Sequence, residues 1–333
     1  MKRVILICPG RGSYTRECLH SLTTTPSVAA ADAYRASLGR PGPTELDRAA
    51  AYQSRLHVAG ENASILTAAC SLADRDQLGA VEVAAVVGNS MGWYTALTVA
   101  GALPLGAGLR LIETLGSYQA NNVIGGQLVY PQMDEDWRPA GSPELEACLR
   151  EIPGLYPSIR LGGQAVLGGT DAALAEAQRR LPLQKIGDRD APFLLPLHSA
   201  FHTPLMAATA ARAQAELADL PYQAPQFPLV DGRGQIWRPR HSDLRALADY
   251  TLGYQVVAPY DFTLSLKVAL REYAPDHLVL LGPGGNLGGA IAQVLVAEGW
   301  AGIRSRADFQ ALQKERPFLI SMARPEQRAL LAS

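Results

Sequence analysis

Ser90 is the residue whose setting most favours covalent chemistry. It sits in Gly88-Asn89-Ser90-Met91-Gly92, a G-x-S-x-G pattern between an apolar run at 81–87 and a segment of helical composition at 91–100. A serine on so sharp a strand-to-helix turn needs small flanking residues. The turn lifts the hydroxyl above the sheet and aims the N–H groups that open the helix at the same point. The chemistry would be acyl transfer through a serine ester, provided a base removes the hydroxyl proton. Six histidines could supply that base. His20, His57 and His241 have no accompanying signal, and His277 begins an apolar run. His198 and His202 lie in Leu197-His198-Ser199-Ala200-Phe201-His202-Thr203-Pro204-Leu205-Met206. Their spacing would suit two metal ligands on a helix, but no glutamate or third ligand accompanies them, so no metal is expected.

The elements that must position these residues read as an α/β chain. Residues 4–8 form a continuous apolar run closed by Pro9-Gly10-Arg11-Gly12, a buried strand, and 81–87 is another. Helical patterns follow each, including 105–118 with Leu105, Leu109, Ile112 and Leu115 at helical spacing. Strand, tight turn and helix in succession predict a parallel sheet covered by helices. In the middle of the chain the order changes to strand 127–130, helix 143–152, strands 158–161 and 164–167, helix 171–181 with Thr170 as N-cap, and strand 193–197. That βαββαβ order is ferredoxin-like. The expected architecture is therefore an α/β-hydrolase-like, parallel-sheet large domain over 1–124 and 198–333, with a ferredoxin-like subdomain inserted at 125–197. The tail beyond 314 carries no signal.

Bulk properties narrow the function. Thirty Lys and Arg against 31 Asp and Glu give no excess for nucleic acid or an anionic membrane. The apolar start is cut off by Pro9 too soon to be a signal peptide, and no run is long enough to span a bilayer. Four scattered cysteines without CxxC spacing argue against zinc or a disulfide framework and for a reducing, cytoplasmic setting.

Four segments in order resemble the malonyl-CoA:acyl carrier protein transacylase family, which includes the acyltransferase domains of fatty acid and polyketide synthases. They are Pro9-Gly10-Arg11-Gly12-Ser13, Gly88-Asn89-Ser90-Met91-Gly92-Trp93-Tyr94, Phe201-His202-Thr203-Pro204-Leu205-Met206 and Gly282-Pro283-Gly284. The resemblance implies that Ser90 is acylated, that His202 is its base, and that the N–H groups of Arg11 and Met91 form the oxyanion hole. It also implies that the backbone carbonyl of Gln255, four residues before Pro259, orients His202 without a carboxylate. Coenzyme A and phosphopantetheine thioesters would be the substrates, with no cofactor. An acyl carrier protein would be the partner, docking near Arg179, Arg180 and Lys185 of the insert.

The chain departs from the family's pattern at Arg11 (usually glutamine), Asn89 (usually histidine) and Trp93 (usually acidic or glutamine). Asn89 and Trp93 are therefore expected at the substrate. The largest departure is Leu115, which stands in place of the arginine that grips malonyl carboxylates. Removing one partner of a buried carboxylate pair costs about 3–5 kcal/mol, roughly two to three powers of ten in affinity. An uncharged acyl group is expected unless another cation, for which Arg11 is the candidate, takes that place. The family often uses the position before the histidine to select for branching, so by the resemblance Phe201 implies a straight acyl chain. Three alternatives stand: a hydrolase using the same acyl-enzyme, a catalytically degenerate carrier-binding paralogue, and an α/β-hydrolase triad of Ser90, Asp261 and His277.

Overall fold

A computed structural model describes residues 1–120 and 123–331. Its larger sheet has six strands in the order Ile236–Trp237, Leu229–Val230, Val81–Gly88, Lys2–Cys8, His277–Leu280, Leu319–Ser321. All neighbours are parallel except the outermost pair Ile236–Trp237 and Leu229–Val230. The central strand Lys2–Cys8 is wholly buried from Val4 onward, as a strand covered on both faces must be. Its register sets Ile7 beside both Val87 and Leu280, so the strand ends at Cys8, Gly88 and Leu280 share one edge.

Helix Gly60–Asp76 is buried from Gly60 to Ala73 at every position but Glu61, which explains its low amphipathicity: it runs through the core rather than over it. Helix Leu105–Ser117 is amphipathic and buries Leu109, Leu111, Ile112 and Leu115. Beneath these helices lies a charged knot. Arg35, fully buried, donates to both Glu113 oxygens at 2.8 Å, to the Glu61 carbonyl at 2.9 Å and to Asn62 Oδ1 at 2.5 Å, and Arg40 closes on Glu113 from the surface side. A buried pair so completely hydrogen-bonded adds little net stability but fixes which helices meet.

The second sheet has the order Tyr260–Asp261, Leu155–Leu161, Gln164–Gly169, Gly126–Pro131, Phe193–Leu194. Helices Pro143–Glu151 and Asp171–Arg180 complete the βαββαβ order and enclose a separate core of Leu128, Tyr130, Leu145, Leu155, Leu167 and Leu174. The chain thus has a large α/β part and a small ferredoxin-like part. Thr170 accepts from Ala173 N as its N-cap position predicts. The expected strand 193–197 is shorter, Phe193–Leu194 only, because Leu197 turns to a φ of +57°. The edge strand Tyr260–Asp261 comes from far along the chain and pairs with Ile159 and Arg160. With Leu229–Val230, Ile236–Trp237 and Leu319–Ser321 it is two or three residues long, too short for any periodicity to reveal.

Gly92 locks the two halves of the nucleophile corner together. A Cβ there would lie 2.1 Å from the Cys8 carbonyl oxygen and 2.8 Å from that of Pro9, both backbone and unable to yield. Gly92→Ala is expected to lower unfolding free energy by about 1–3 kcal/mol, measured by urea denaturation. Gly285→Ala, where a Cβ meets nothing within 4 Å, should be close to silent.

Candidate active site

The strand Val81–Gly88 ends in the core, and the chain reverses within three residues into helix Gly92–Val99. Gly88 has no room for a Cβ, which would meet the Gly92 carbonyl oxygen at 2.3 Å. Asn89 N–H donates to the Cys8 carbonyl at 3.0 Å and Gly92 N–H to Asn89 O at 2.8 Å, so Ser90 is carried at the apex with φ +56°. A non-glycine residue in that region costs of order 1–3 kcal/mol and persists only where its surroundings enforce it.

His202 reaches this apex from 112 residues away: its Nε2 lies 2.7 Å from Ser90 Oγ. Its Nδ1 lies 2.6 Å from the Gln255 carbonyl oxygen, and its backbone N–H donates to Val256 O at 2.8 Å. A carbonyl can only accept, so Nδ1 carries the proton and Nε2 is free to take the one on Ser90. The Gln255 carbonyl is available for a reason written in the chain. It belongs to the short helical turn Gln255–Val257, and the residue four positions on, whose N–H would claim it in a helix, is Pro259, which has none. The π-helical turn Tyr250–Tyr254 leads directly into it. Burial lowers the His202 pKa to about 4, with the Gln255 bond opposing the shift.

Ser90 and His202 open on a cavity lined also by Arg11, Met91, Ile112, Leu115, Phe201 and Gln255. Leu115, on the wall helix, is 2% exposed. Phe201 packs edge-on to His202 with ring centroids 6.2 Å apart. No acceptor for the N–H of Arg11 or Met91 is found among the described residues. The Arg11 side chain turns into the cavity. Its Nη1 donates to Gln119 Oε1 at 2.7 Å, its Nε to His198 Nε2 at 3.3 Å, and its Nη2 to the Leu197 carbonyl. All three partners are neutral. Burial lowers the Arg11 pKa to about 10, and burial together with the Arg11 charge lowers that of His198 to about 3. His198 therefore stays neutral, giving its Nδ1 proton to Pro196 O at 2.9 Å.

Two expected substrate residues do not line this cavity. Trp93 is fully buried, donates Nε1 to Thr251 Oγ1 at 3.0 Å and meets Tyr250 edge-on, because its place on the helix faces the core rather than the apex. Asn89 is buried against Gly10, whose added Cβ would meet the Asn89 carbonyl oxygen at 2.7 Å. The Gly282-Pro283-Gly284 run packs on Asp74, Cys70, Cys18 and Ser13 and lines a cleft separate from this cavity. The Ser90–Asp261–His277 triad does not form. Asp261 caps helix Phe262–Tyr273 through Leu264 N, and His277 opens its strand beside Val4, at the opposite edge from Gly88. Among the described residues there is no group of three His, Cys, Asp or Glu able to hold a metal ion. The three basic residues expected at the carrier are matched by acids: Arg179 with Glu176, Arg180 with Glu151, Lys185 with Asp190.

Sequence reasoning missed Gln119, Tyr94 and the pocket role of His198. Each had a visible signal. Tyr94 lies in the helix that follows Ser90, and Gln119 lies four residues after Leu115, just past the end of helix Leu105–Ser117. His198 lies in the segment that delivers the base.

With its pKa near 4, His202 remains an unprotonated base well below the usual histidine range. The pH–rate profile for acylation of Ser90 is expected to stay level below 6.5 and to fall only as pH drops toward about 4, where His202 protonates. Stopped-flow acylation across pH 4–8 measures this.

No family model matches the chain. The malonyl CoA-acyl carrier protein transacylase of Salmonella typhimurium is 27% identical over 234 residues, 66% of this chain and 68% of that protein. Its counterpart from Escherichia coli K12 is 26% identical over the same lengths. Among solved structures, the malonyl-CoA:ACP transacylase of Synechocystis superposes with a TM-score of 0.74 at 18% identity, over 99% of this chain and all of the other. The acyl-carrier-protein S-malonyltransferase of Burkholderia pseudomallei gives 0.76 at 20%, over 100% and 99%. A malonyl-transacylase solved with its type II PKS acyl-carrier protein gives 0.75 at 19%, over 100% and 99%. The chain has the fold of the malonyl-CoA:acyl carrier protein transacylases and resembles them in sequence over two thirds of its length.

Proposed function

We propose that the protein moves an acyl group between coenzyme A and an acyl carrier protein through an ester on Ser90. The 2.7 Å contact from Ser90 Oγ to a neutral His202 carries this reading. As Ser90 Oγ bonds to the thioester carbonyl carbon, Nε2 takes its proton and the N–H groups of Arg11 and Met91 receive the oxyanion. Collapse breaks the carbon–sulfur bond, and the leaving thiolate takes the proton from Nε2. The carrier's phosphopantetheine thiol then gives its proton to Nε2 and attacks the ester, restoring Ser90. The Gln255 carbonyl accepts Nδ1–H throughout, so no carboxylate is needed. Oxyanion donors of this kind are each worth roughly a hundredfold in rate. The reading uses no cofactor. Four buried, unpaired cysteines support a cytoplasmic setting, and no described helix is long and apolar enough to cross a membrane.

The finer reading is an uncharged, unbranched acyl group, supported by the apolar wall of Ile112, Leu115 and Phe201. One observation favours a second: the Arg11 guanidinium faces the same cavity with only neutral partners, a setting that a carboxylate on the acyl chain would complete. Incubating the protein with acetyl-, butyryl- and malonyl-CoA and weighing the Ser90 adduct separates the two. Under the first reading the uncharged groups load, and Leu115→Arg raises malonyl loading by roughly a hundredfold. Under the second the wild type loads malonyl and Arg11→Gln removes that loading while sparing acetyl. An acyl-enzyme that releases free acid even when a carrier thiol is supplied would make the protein a hydrolase, and no adduct at all would leave it a binding paralogue.

We place the carrier near Arg179, Arg180 and Lys185. Their acidic partners are surface groups whose pairs are worth about 0–1 kcal/mol, so an acidic carrier can exchange for them. Arg179→Glu with Arg180→Glu should raise KM for the carrier and leave KM for acyl-CoA unchanged; equal changes in both would remove docking there.

A further inference from the structure

We propose that Tyr94 is a positioning residue: through the Gln255 side chain it holds the nucleophile and the base in register. The inference rests on the Ser90–His202 relay. Gln255 is bonded at both ends of that pair. Its backbone carbonyl accepts from His202 Nδ1 at 2.6 Å, and its side-chain Nε2 donates to the Ser90 carbonyl at 3.1 Å. The Tyr94 hydroxyl meets Gln255 Oε1 at 2.6 Å.

The sense of the chain is forced. The Ser90 carbonyl has no hydrogen to give, so the amide must present its NH₂ there and its oxygen to Tyr94, which must donate. Burial pushes the Tyr94 hydroxyl far above the usual tyrosine range, so it is a protonated donor at every working pH. Gln255 is 1% exposed, so its amide is shielded from bulk solvent. Without the Tyr94 hydroxyl Oε1 is a buried acceptor with no partner, and the amide must turn or shift to find one. Either movement releases the Ser90 carbonyl.

That carbonyl matters because Ser90 and His202 both hold φ in the left-handed region, +56° and +63°. Such conformations last only where neighbours over-determine them. Trp93 N–H also donates to the Ser90 carbonyl, at 2.9 Å, but from within the same turn. The Gln255 bond alone ties it to the segment that orients the base. Tyr94 lies in helix Gly92–Val99, which opens directly after the Ser90 corner, so the helix that follows the nucleophile braces the amide that braces it.

The test uses a fluorophosphonate, which needs only an activated serine: Ser90 Oγ bonds to phosphorus, fluoride leaves, and His202 takes the proton. Tyr94→Phe should lower the maximal phosphonylation rate about tenfold, the scale of one buried hydrogen bond, with half-saturation and melting temperature little changed. Gln255→Met should do the same. In the Gln255→Met background, adding Tyr94→Phe should change the rate less than twofold. An unchanged rate in Tyr94→Phe overturns the proposal, as does a full tenfold loss on top of Gln255→Met. If Tyr94→Phe does not fold, an unchanged rate in Gln255→Met overturns it instead. Failure of the acyl-transfer reading looks different: phosphonylation persists in the wild type while no acyl-CoA leaves an adduct.

Discussion

One carbonyl oxygen, that of Gln255, is the hinge on which the site turns. It is free because Pro259 cannot claim it, and it accepts the His202 Nδ1 proton, leaving Nε2 as a base 2.7 Å from Ser90. In many serine enzymes a buried carboxylate does this work and brings a desolvation cost with it. A backbone carbonyl is neutral and rigid, and it lets His202 be wholly buried without a counter-charge. Its low pKa follows from the same arrangement: burial with nothing anionic nearby disfavours the imidazolium.

Three distant stretches must converge for that carbonyl to matter. The parallel register brings Cys8 beside Gly88, so the loop after one strand and the corner after the next open on the same edge. Gly92 permits the contact by lacking a side chain. The edge strand Tyr260–Asp261 stitches the Gln255 segment to the small sheet, while the Tyr260 hydroxyl donates to the Gly88 carbonyl. The base is thereby held between the two parts of the molecule rather than on either one.

The cavity's electrostatics are unusual because its cation and its apolar wall come from different elements. Helix Leu105–Ser117 presents Leu115, while the loop after the first strand sends Arg11 across to Gln119 at the end of that helical region. An added Cβ on Gly60 would lie 2.7 Å from Arg11 Nη1 and 3.0 Å from the Gly116 carbonyl oxygen, so the guanidinium packs close to where Gly60 meets helix Leu105–Ser117. Neutral His198 and Gln119 hold it without cancelling its charge.

From the chain alone the α/β class, the ferredoxin-like order and the Ser90 corner were legible, because each rests on local signals, apolar runs and a glycine-flanked turn, whereas His202 was singled out among six histidines by the family resemblance. Gln255 was named only through the family resemblance, because the carbonyl that Pro259 leaves free shows only once the turn Gln255–Val257 is in place. The two- and three-residue strands were not legible, since pairing at that length is decided by neighbours rather than by pattern. Nor could spacing tell that Trp93 turns to the core while Tyr94 beside it turns to the site; adjacent helical positions differ by about 100°, and only packing chooses between them. The partners of Arg11 belonged to the tertiary structure too, because a long flexible side chain goes where acceptors are, and those acceptors lie 108 and 187 residues away.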